Sequence, residues 1–302
     1  ETKDSEIDFS AGIIIHKKVG DYVEKGESLA TMYASKEELF EAAAKRYLSA
    51  VTQKETRAEE EKLIYARVSK EQVFLRKAAD KMDQKEILSH VDHTQLKAFA
   101  TWEDIQKLCE EAIEYQTASV CIPPCYIKRV HDTYGEKINI CTVVGFPLGY
   151  SVTEAKAAET KKALEDGASE VDMVVNISDV KNGNYDAVQE EIAALKKITG
   201  DKILKVIIET CYLTEEEKIA MCKAVTEAGA DYIKTSTGFG TAGATLEDIR
   251  LFRENIGPDV KMKAAGGVKT VADMEAFLEA GCDRIGTSSA IKLIQGEQTS
   301  GY

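Results

Sequence analysis

The sequence predicts an α/β chain whose larger part is an eight-stranded parallel barrel, preceded by a small α+β segment and a charged helical connector. Three observations carry this expectation. From Ile87 onward, short apolar runs alternate with helical patterns until eight strands have been counted. Runs such as Val143-Val-Gly145, Met173-Val-Val175 and Val206-Ile-Ile208 are apolar on both faces, as a parallel sheet covered by helices requires. Three of the helical patterns end in Asp166-Gly167-Ala168, Ala228-Gly229-Ala230 and Ala280-Gly281-Cys282, where a left-handed glycine turns the chain into the next strand. Eight strands, parallel by connection length, favour a (β/α)8 or TIM barrel over an open doubly wound sheet.

The elements follow in order. Residues 1–52 form the first segment: Ala11 to Tyr33 reads as two strands around Gly20-Asp21 with a turn at Lys25-Gly26. Ser35-Lys-Glu-Glu38 then fits a helix cap, and Leu39, Phe40, Ala43 and Tyr47 share one side of the helix that follows. Residues 53–85 are densely charged and lack Gly and Pro, which predicts two connector helices over Gln53–Arg67 and Ser69–Asp83, the second capped by Ser69-x-x-Gln72. Residues 86–302 are the barrel. Its strands are expected at Val91–Thr94, Ser119–Ile122, Ile138–Gly145, Glu170–Asn176, Leu204–Glu209, Tyr232–Thr237, Val260–Ala265 and Arg284–Ser288. Helices are expected between them, at Thr101–Tyr115, Thr153–Asp166, Asp186–Thr199, Thr214–Ala228, Thr245–Asn255 and Val271–Ala280.

Composition narrows the function. The net charge of −13 over 302 residues argues against a nucleic-acid or membrane-surface binder, yet leaves room for an anionic small substrate held by local amides and one or two cations. No run of about 18 apolar residues and no signal peptide is present, so neither a membrane span nor export is expected. Seven scattered cysteines without a Cys-x-x-Cys pair predict reduced thiols and a cytoplasmic location. Glu1 in place of Met predicts a start within a longer product.

Chemistry is sought where barrels place it, at the carboxyl ends of the strands. There the sequence offers Asp92, Thr94, Cys121, Asp172, Lys205, Lys234, Ser236 and Lys263, followed by the small loops Gly266-Gly267 and Gly286-Thr-Ser-Ser289 after the last two strands. The latter is where barrels commonly bind phosphate. Lys234, in Asp231-Tyr-Ile-Lys-Thr-Ser-Thr-Gly-Phe-Gly240, is a lysine in a buried strand, which is costly without a partner or a purpose. An amine that attacks a carbonyl must be neutral, and a second ammonium nearby, with desolvation, favours that form. Lys263 on the next strand supplies the ammonium, and Asp172 can hold Lys263 and relay protons. That is the equipment of Schiff-base catalysis. Lys261 sits earlier on the strand and is expected at the surface. His90 and His93 have a His-x-x-His spacing, but His16 and His131 are far off in sequence and no metal ligand set results. The hairpin around Lys36 is similar to that of a lipoyl or biotinyl carrier but lacks its returning half.

Residues 86–302 resemble the deoxyribose-phosphate aldolases, which are class I aldolases. The residues that carry the resemblance are Val91-Asp92-His-Thr94, Ala118-Ser-Val-Cys121, Glu170-Val-Asp-Met-Val174, Leu204-Lys-Val-Ile-Ile-Glu-Thr210, Tyr232-Ile-Lys-Thr-Ser-Thr-Gly-Phe239 and Lys263-Ala-Ala-Gly-Gly267. The resemblance implies reversible cleavage of 2-deoxy-D-ribose 5-phosphate to D-glyceraldehyde 3-phosphate and acetaldehyde in deoxynucleoside catabolism. It implies an imine on Lys234, with Asp172 as proton donor and acceptor and Lys263 as a proton donor and acceptor that also keeps the Lys234 amine neutral. Asp92, Thr94, Lys205, Thr237 and the C-terminal Tyr302 are implied in support. Gly238, Gly266, Gly267, Gly286, Ser288 and Ser289 are implied at the phosphate. Some members carry a lysine where this chain has Phe239, so Lys269 is expected to supply the phosphate cation. No metal or other cofactor is implied, and a homo-oligomer, dimer or tetramer, is expected. Ile7 to Val51 resemble the last part of the C-terminal domain of pyrimidine-nucleoside phosphorylases, through Gly12-Ile-Ile-Ile-His-Lys-Lys-Val-Gly-Asp-Tyr-Val-Glu-Lys-Gly-Glu27, without the catalytic region of that enzyme. The rival expectations are a class I aldolase for another sugar phosphate and a non-catalytic scaffold.

Overall fold

The structure, a computed structural model, describes residues 12–16, 22, 24, 27–33, 39–49, 51, 66–68, 73–75 and 82–296. Tyr302, Lys36, the turns at Gly20 and Gly26 and the caps at Ser35 and Ser69 lie outside them. The chain divides into two compact units, Glu1–Asp80 and Lys81–Tyr302.

In the first unit β1 (Gly12–Ile15) pairs antiparallel with β2 (Ala30–Tyr33), Gly12 opposite Tyr33, and α1 (Leu39–Ser49) follows where the helical pattern placed it. The connector departs from expectation. Where helices were expected through Arg67 and from Ser69, β3 (Ala66–Val68) and β4 (Val73–Leu75) form an antiparallel pair. Val68, Val73 and Phe74 are β-branched or aromatic, and here their preference for a pleated strand prevails over the helix-favouring charges around them. The first helix of the next unit is α2 (Gln84–Ser89), with the Asp83 carboxylate accepting from the Lys85 backbone N–H.

The second unit is the barrel. Its strands are β5 (Val91–Thr94), β6 (Ser119–Ile122), β7 (Ile140–Val144), β8 (Glu170–Val174), β9 (Ile203–Ile207), β10 (Tyr232–Lys234), β11 (Lys261–Ala265) and β12 (Arg284–Thr287). They close in sequence order, every pair parallel, with β12 returning to β5. The helices are α3 (Trp102–Tyr115), α4 (Ile127–Tyr134), α5 (Thr153–Glu165), α6 (Ile177–Lys181), α7 (Tyr185–Thr199), α8 (Glu215–Glu227), α9 (Leu246–Asn255), α10 (Val271–Glu279) and α11 (Ala290–Ile294). Thr101, Thr214 and Thr270 close reciprocal capping boxes with Asp104, Glu217 and Asp273. Gly167, Gly229 and Gly281 have φ of 110°, 73° and 106°, the left-handed turns read from the sequence. Strand β10 is shorter than expected, because Thr237 leaves the ladder to donate its backbone N–H to the Glu209 carboxylate at 3.3 Å.

Period-two alternation sorts the strands. Val171, Met173, Leu204, Val206, Ile233, Met262, Ala264 and Ile285 point outward into the main core, against Val188, Ile192, Leu195, Met221, Ile249, Phe252 and Phe277 of the helices. The intervening residues Glu170, Asp172, Lys205, Lys234, Lys263 and Arg284 therefore point into the barrel. Among the described residues no helix is long and apolar enough to cross a membrane.

Candidate active site

The pairing register brings the charged residues to neighbouring levels. Asp172 lies opposite Lys205, Lys234 opposite Lys263, and Lys263 opposite Arg284. Lys234 Nζ and Lys263 Nζ both donate to Asp172 Oδ2, each at 2.7 Å, which holds the two nitrogens within two hydrogen-bond lengths of one another. Lys205 Nζ lies 2.9 Å from the other oxygen of Asp172, 2.5 Å from Glu170 Oε2 and 3.4 Å from Asp92 Oδ2. Lys263 also donates to Asp92. Arg284 closes the cluster from the amino-terminal end of β12, with Nη1 at 2.5 Å from Asp92 and 2.9 Å from Glu170, and Nη2 at 3.1 Å from Glu170. The Ser119 hydroxyl adds a bond to Asp92 Oδ1 at 2.7 Å, and the Cys141 thiol one to Asp172 Oδ1 at 3.1 Å.

Asp92, Asp172, Lys205 and Lys263 are fully buried, where an unpaired charge would be costly to keep. Burial pushes the Asp172 carboxyl upward, but Lys205, Lys234 and Lys263 together hold it well below the usual carboxylate range. Asp92 is likewise held low, against burial, by Lys205, Lys263 and Arg284. Burial alone would lower Lys263, yet Asp172 and Asp92 outweigh it and keep this side chain above the ordinary lysine value, an ammonium at neutral pH. Lys205 is raised in the same way, by Asp172, Asp92 and Glu170.

Above this cluster a pocket opens among the described residues. It is lined by Lys234, Thr94, Thr237, Gly238, Gly266, Gly267, Lys269, Gly286, Ser288 and Ser289 from the sequence reading, and by Leu96, Phe239, Ala265, Val268 and Thr287 besides. Of the buried charged cluster only Lys234 lines it; Asp172, Lys263, Lys205 and Asp92 lie beneath. Thr94 is oriented by donating its hydroxyl to the Asp92 carbonyl at 2.7 Å. The glycine loop is built for close approach: a Cβ on Gly243 would fall 2.3 Å from the Gly266 carbonyl carbon, and Gly266 and Gly267 have φ of 75° and 74°. Phe239 meets Phe146 edge to face, ring centres 5.3 Å apart, at the place where a lysine was sought. Lys269 lines the pocket beside Lys234, and Lys261 is exposed, as expected.

Cys121, Cys141 and Asp172 lie close enough to share a cation, as do Asp92, Cys141 and Glu170. The carboxylates of both sets already accept from lysine or arginine, which leaves little for a metal. His90 Nδ1 bonds the Asp283 carbonyl and His93 Nε2 bonds Glu111, both at 2.8 Å, so the His-x-x-His spacing is spent on separate partners. Glu170, Arg284 and Glu209 were missed as site residues. Glu170 shares its strand parity with Asp172, a signal present in the sequence; the partners of Arg284 and Glu209 come from distant strands and loops.

A family model described as DeoC/LacD family aldolase matches residues 77–290. The chain belongs to this family. A second model, the pyrimidine nucleoside phosphorylase C-terminal domain, matches residues 1–54. Curated relatives within reach of the aldolase match are named deoxyribose-phosphate aldolase. One from Clostridium botulinum (strain Alaska E43 / Type E3) is 73% identical over 221 residues, spanning 73% of this chain and 100% of the relative. Another from Clostridioides difficile (strain 630) is 61% identical over 218 residues, spanning 72% and 100%. Among solved structures, the tetrameric deoxyribose phosphate aldolase of Aeropyrum pernix superposes with a TM-score of 0.65 at 30% identity, over 70% of this chain and 91% of that one. The DeoC/LacD aldolase family and the closed parallel barrel thus agree with the reading of residues 86–302.

Proposed function

We propose that the chain cleaves 2-deoxy-D-ribose 5-phosphate, reversibly, to D-glyceraldehyde 3-phosphate and acetaldehyde through an imine on Lys234. The observation that carries the reading is the junction at the pocket floor, where Lys234 and Lys263 share one oxygen of Asp172 and Lys234 alone faces the pocket. The neutral amine adds to the aldehyde carbon of the open-chain sugar, and loss of water gives an iminium. The C3 hydroxyl gives up its proton as the C2–C3 bond breaks, and the bonding pair moves toward nitrogen as an enamine while glyceraldehyde 3-phosphate leaves. Protonation of the enamine carbon and hydrolysis release acetaldehyde and restore the amine. Asp172 accepts and returns protons in this sequence, and Lys263, kept as an ammonium, offsets the charge of Asp172. Lys205 and Asp92 hold that pair in place.

The amides of Gly238, Gly266, Gly267 and Gly286, with Ser288, Ser289 and the Lys269 ammonium, suit the phosphate end. The reading calls for no metal. Tyr302 keeps the role in proton exchange that the family resemblance gives it. Residues 1–52 belong to the proposal as a non-catalytic appendage and residues 53–85 as its connector. A homo-oligomer in the cytoplasm is part of the same proposal, supported by the tetrameric relative and by seven unpaired cysteines.

Borohydride reduction in the presence of acetaldehyde tests the chemistry directly. A stable ethyl adduct on the peptide carrying Lys234 is expected, and Lys234→Met should lower turnover of deoxyribose 5-phosphate by about a thousandfold or more. An adduct on another lysine, or full turnover in the variant, would overturn the reading. A panel of phosphorylated aldehydes separates this substrate from those of other class I aldolases.

A further inference from the structure

The buried cluster has unequal numbers of the two charges. Among the described residues, Lys205, Lys234, Lys263 and Arg284 meet Asp92, Glu170 and Asp172 in one connected network, four cations against three carboxylates. With every group ionised the network carries one net positive charge in a space largely closed to water. Such a charge is costly, and the cost falls if one cation gives up its proton. Arg284 does not do so near neutral pH. Lys205 touches three carboxylates and Lys263 two, whereas Lys234 touches one. Lys234 is also the member that lines the pocket, where a proton can leave.

We propose that Glu170 and Arg284, which do not line the pocket, fix the net charge of the network and so set the pH at which Lys234 becomes a nucleophile. They are the first residues of β8 and β12, whereas Lys234 is the last of β10, so they lie toward the amino-terminal end of the barrel, away from the substrate. Both are positioning residues. Glu170 acts through Lys205, and Arg284 acts through Asp92 and Lys263. The inference rests on the reading of Lys234 as the imine former.

Among the described residues, other groups also face the network, Lys261 reaching the Tyr232 ring at 5.8 Å from the surface. From β7 the Cys141 thiol, pushed up by burial, stays neutral. On β10, burial likewise raises the Tyr232 hydroxyl, whose ring lies 5.8 Å from the Arg284 guanidinium. Ser119 of β6 donates to Asp92. Beyond β9, Glu209 turns to Thr237. That leaves Cys121 of β6, which the hydrogen bond with Cys141 holds below the ordinary thiol value and which is the alternative seat of a balancing charge.

The test is the acid limb of kcat/KM for deoxyribose 5-phosphate cleavage by the full chain, read beside the pH dependence of borohydride trapping with acetaldehyde. The limb reports the free enzyme's need for a neutral amine. Glu170→Gln leaves the network more positive, so the proton departs more readily and the limb should move to lower pH. Arg284→Met leaves it less positive, and the limb should move to higher pH. Each shift should be about one pH unit, the order set by unit charges several ångströms apart at an effective dielectric constant of about 20. The double variant Glu170→Gln/Arg284→Met keeps the sum and should return the limb to the wild-type position, as should Arg284→Lys; these two decide the matter if a single variant does not fold. Cys121→Ser should leave the limb in place. Single-variant limbs that coincide with the wild type or move the same way, a double variant that stays displaced, or a limb that follows Cys121 would overturn the inference. Failure of the wild type to turn over or to form the Lys234 adduct would overturn the underlying reading as well.

Discussion

At the scale of single residues, Glu209 shows how a side chain outside a pocket's lining can shape its wall. Its backbone is left-handed, φ 54° and ψ 66°, an uncommon conformation for a residue with a side chain. Its carboxylate is buried and accepts both the backbone N–H and the hydroxyl of Thr237. The Thr237 oxygen in turn accepts from the Phe239 backbone N–H at 3.0 Å. Thr237, Gly238 and Phe239 all line the pocket, so Glu209 fixes the wall of the pocket and not its floor. Glu209→Gln removes the charge from these bonds, and a rise in KM of about tenfold with little change in kcat is expected, matching the loss of about one hydrogen bond. Steady-state kinetics on deoxyribose 5-phosphate would check this; a fall in kcat at constant KM would instead place Glu209 in the chemistry. Lys234, Lys263 and Asp172 were legible in the sequence because buried charge on strand ends is rare enough to stand out. Glu209 sits in the Leu204–Thr210 motif, but its partner Thr237 lies across a loop and no local pattern announces the bond.

At the scale of elements, the wall that carries Asp172 is fastened from outside the barrel. Lys156 of α5 is fully buried and donates to Glu191 of α7 at 2.7 Å and to the Val174 carbonyl, at the end of β8, at 2.8 Å. Thr153 adds a bond to the same carboxylate at 3.2 Å. Burial pushes the Lys156 ammonium down, and Glu191 offsets only part of the shift. Two helices and a strand thus share one ion pair with little contact to solvent. Lys156→Met keeps most of the volume but leaves Glu191 as an uncompensated buried charge, and a loss of about 3 kcal/mol in urea unfolding is expected. The double change Lys156→Met/Glu191→Leu should recover most of it, because a well-packed apolar pair can replace a buried ion pair; a double variant as unstable as the single would refute that account. Six of the barrel's helices, α3, α5, α7, α8, α9 and α10, were readable from apolar spacing and caps, and the barrel strands from apolarity on both faces; the short α4, α6 and α11 were not. The pair of short strands at Ala66–Val68 and Val73–Leu75 was not, since three-residue strands within a charged stretch are too short to show a period.

At the scale of the whole molecule, the barrel's closure decides what sequence reading could and could not deliver. Eight strands in sequential order were legible, and with them the mouth at which Lys234, Gly266 and Ser288 had to meet. The balance of charge inside the barrel was not, because Arg284 reaches Asp92 across 192 positions and Glu170 across 114 only when β12 closes on β5. The same closure bears on the appended first unit. Every strand of the barrel, every described member of the charged network and every described residue of the pocket lining lie within Lys81–Tyr302. The Clostridium botulinum relative is matched over 100% of its own length by 73% of this chain, so a deoxyribose-phosphate aldolase is complete there without a counterpart of the first unit. A chain shortened to residues 81–302 should therefore fold and retain retro-aldol turnover within about twofold of the full chain, as expected of a domain with its own core. Residues 1–80 alone should show no phosphorolysis of pyrimidine nucleosides, having no phosphorylase catalytic region. Parallel assays of the shortened and full chains at equal concentration, with thermal melting as a check on folding, measure the outcome. A folded but inactive residue 81–302 chain would mean that the first unit contributes to the site.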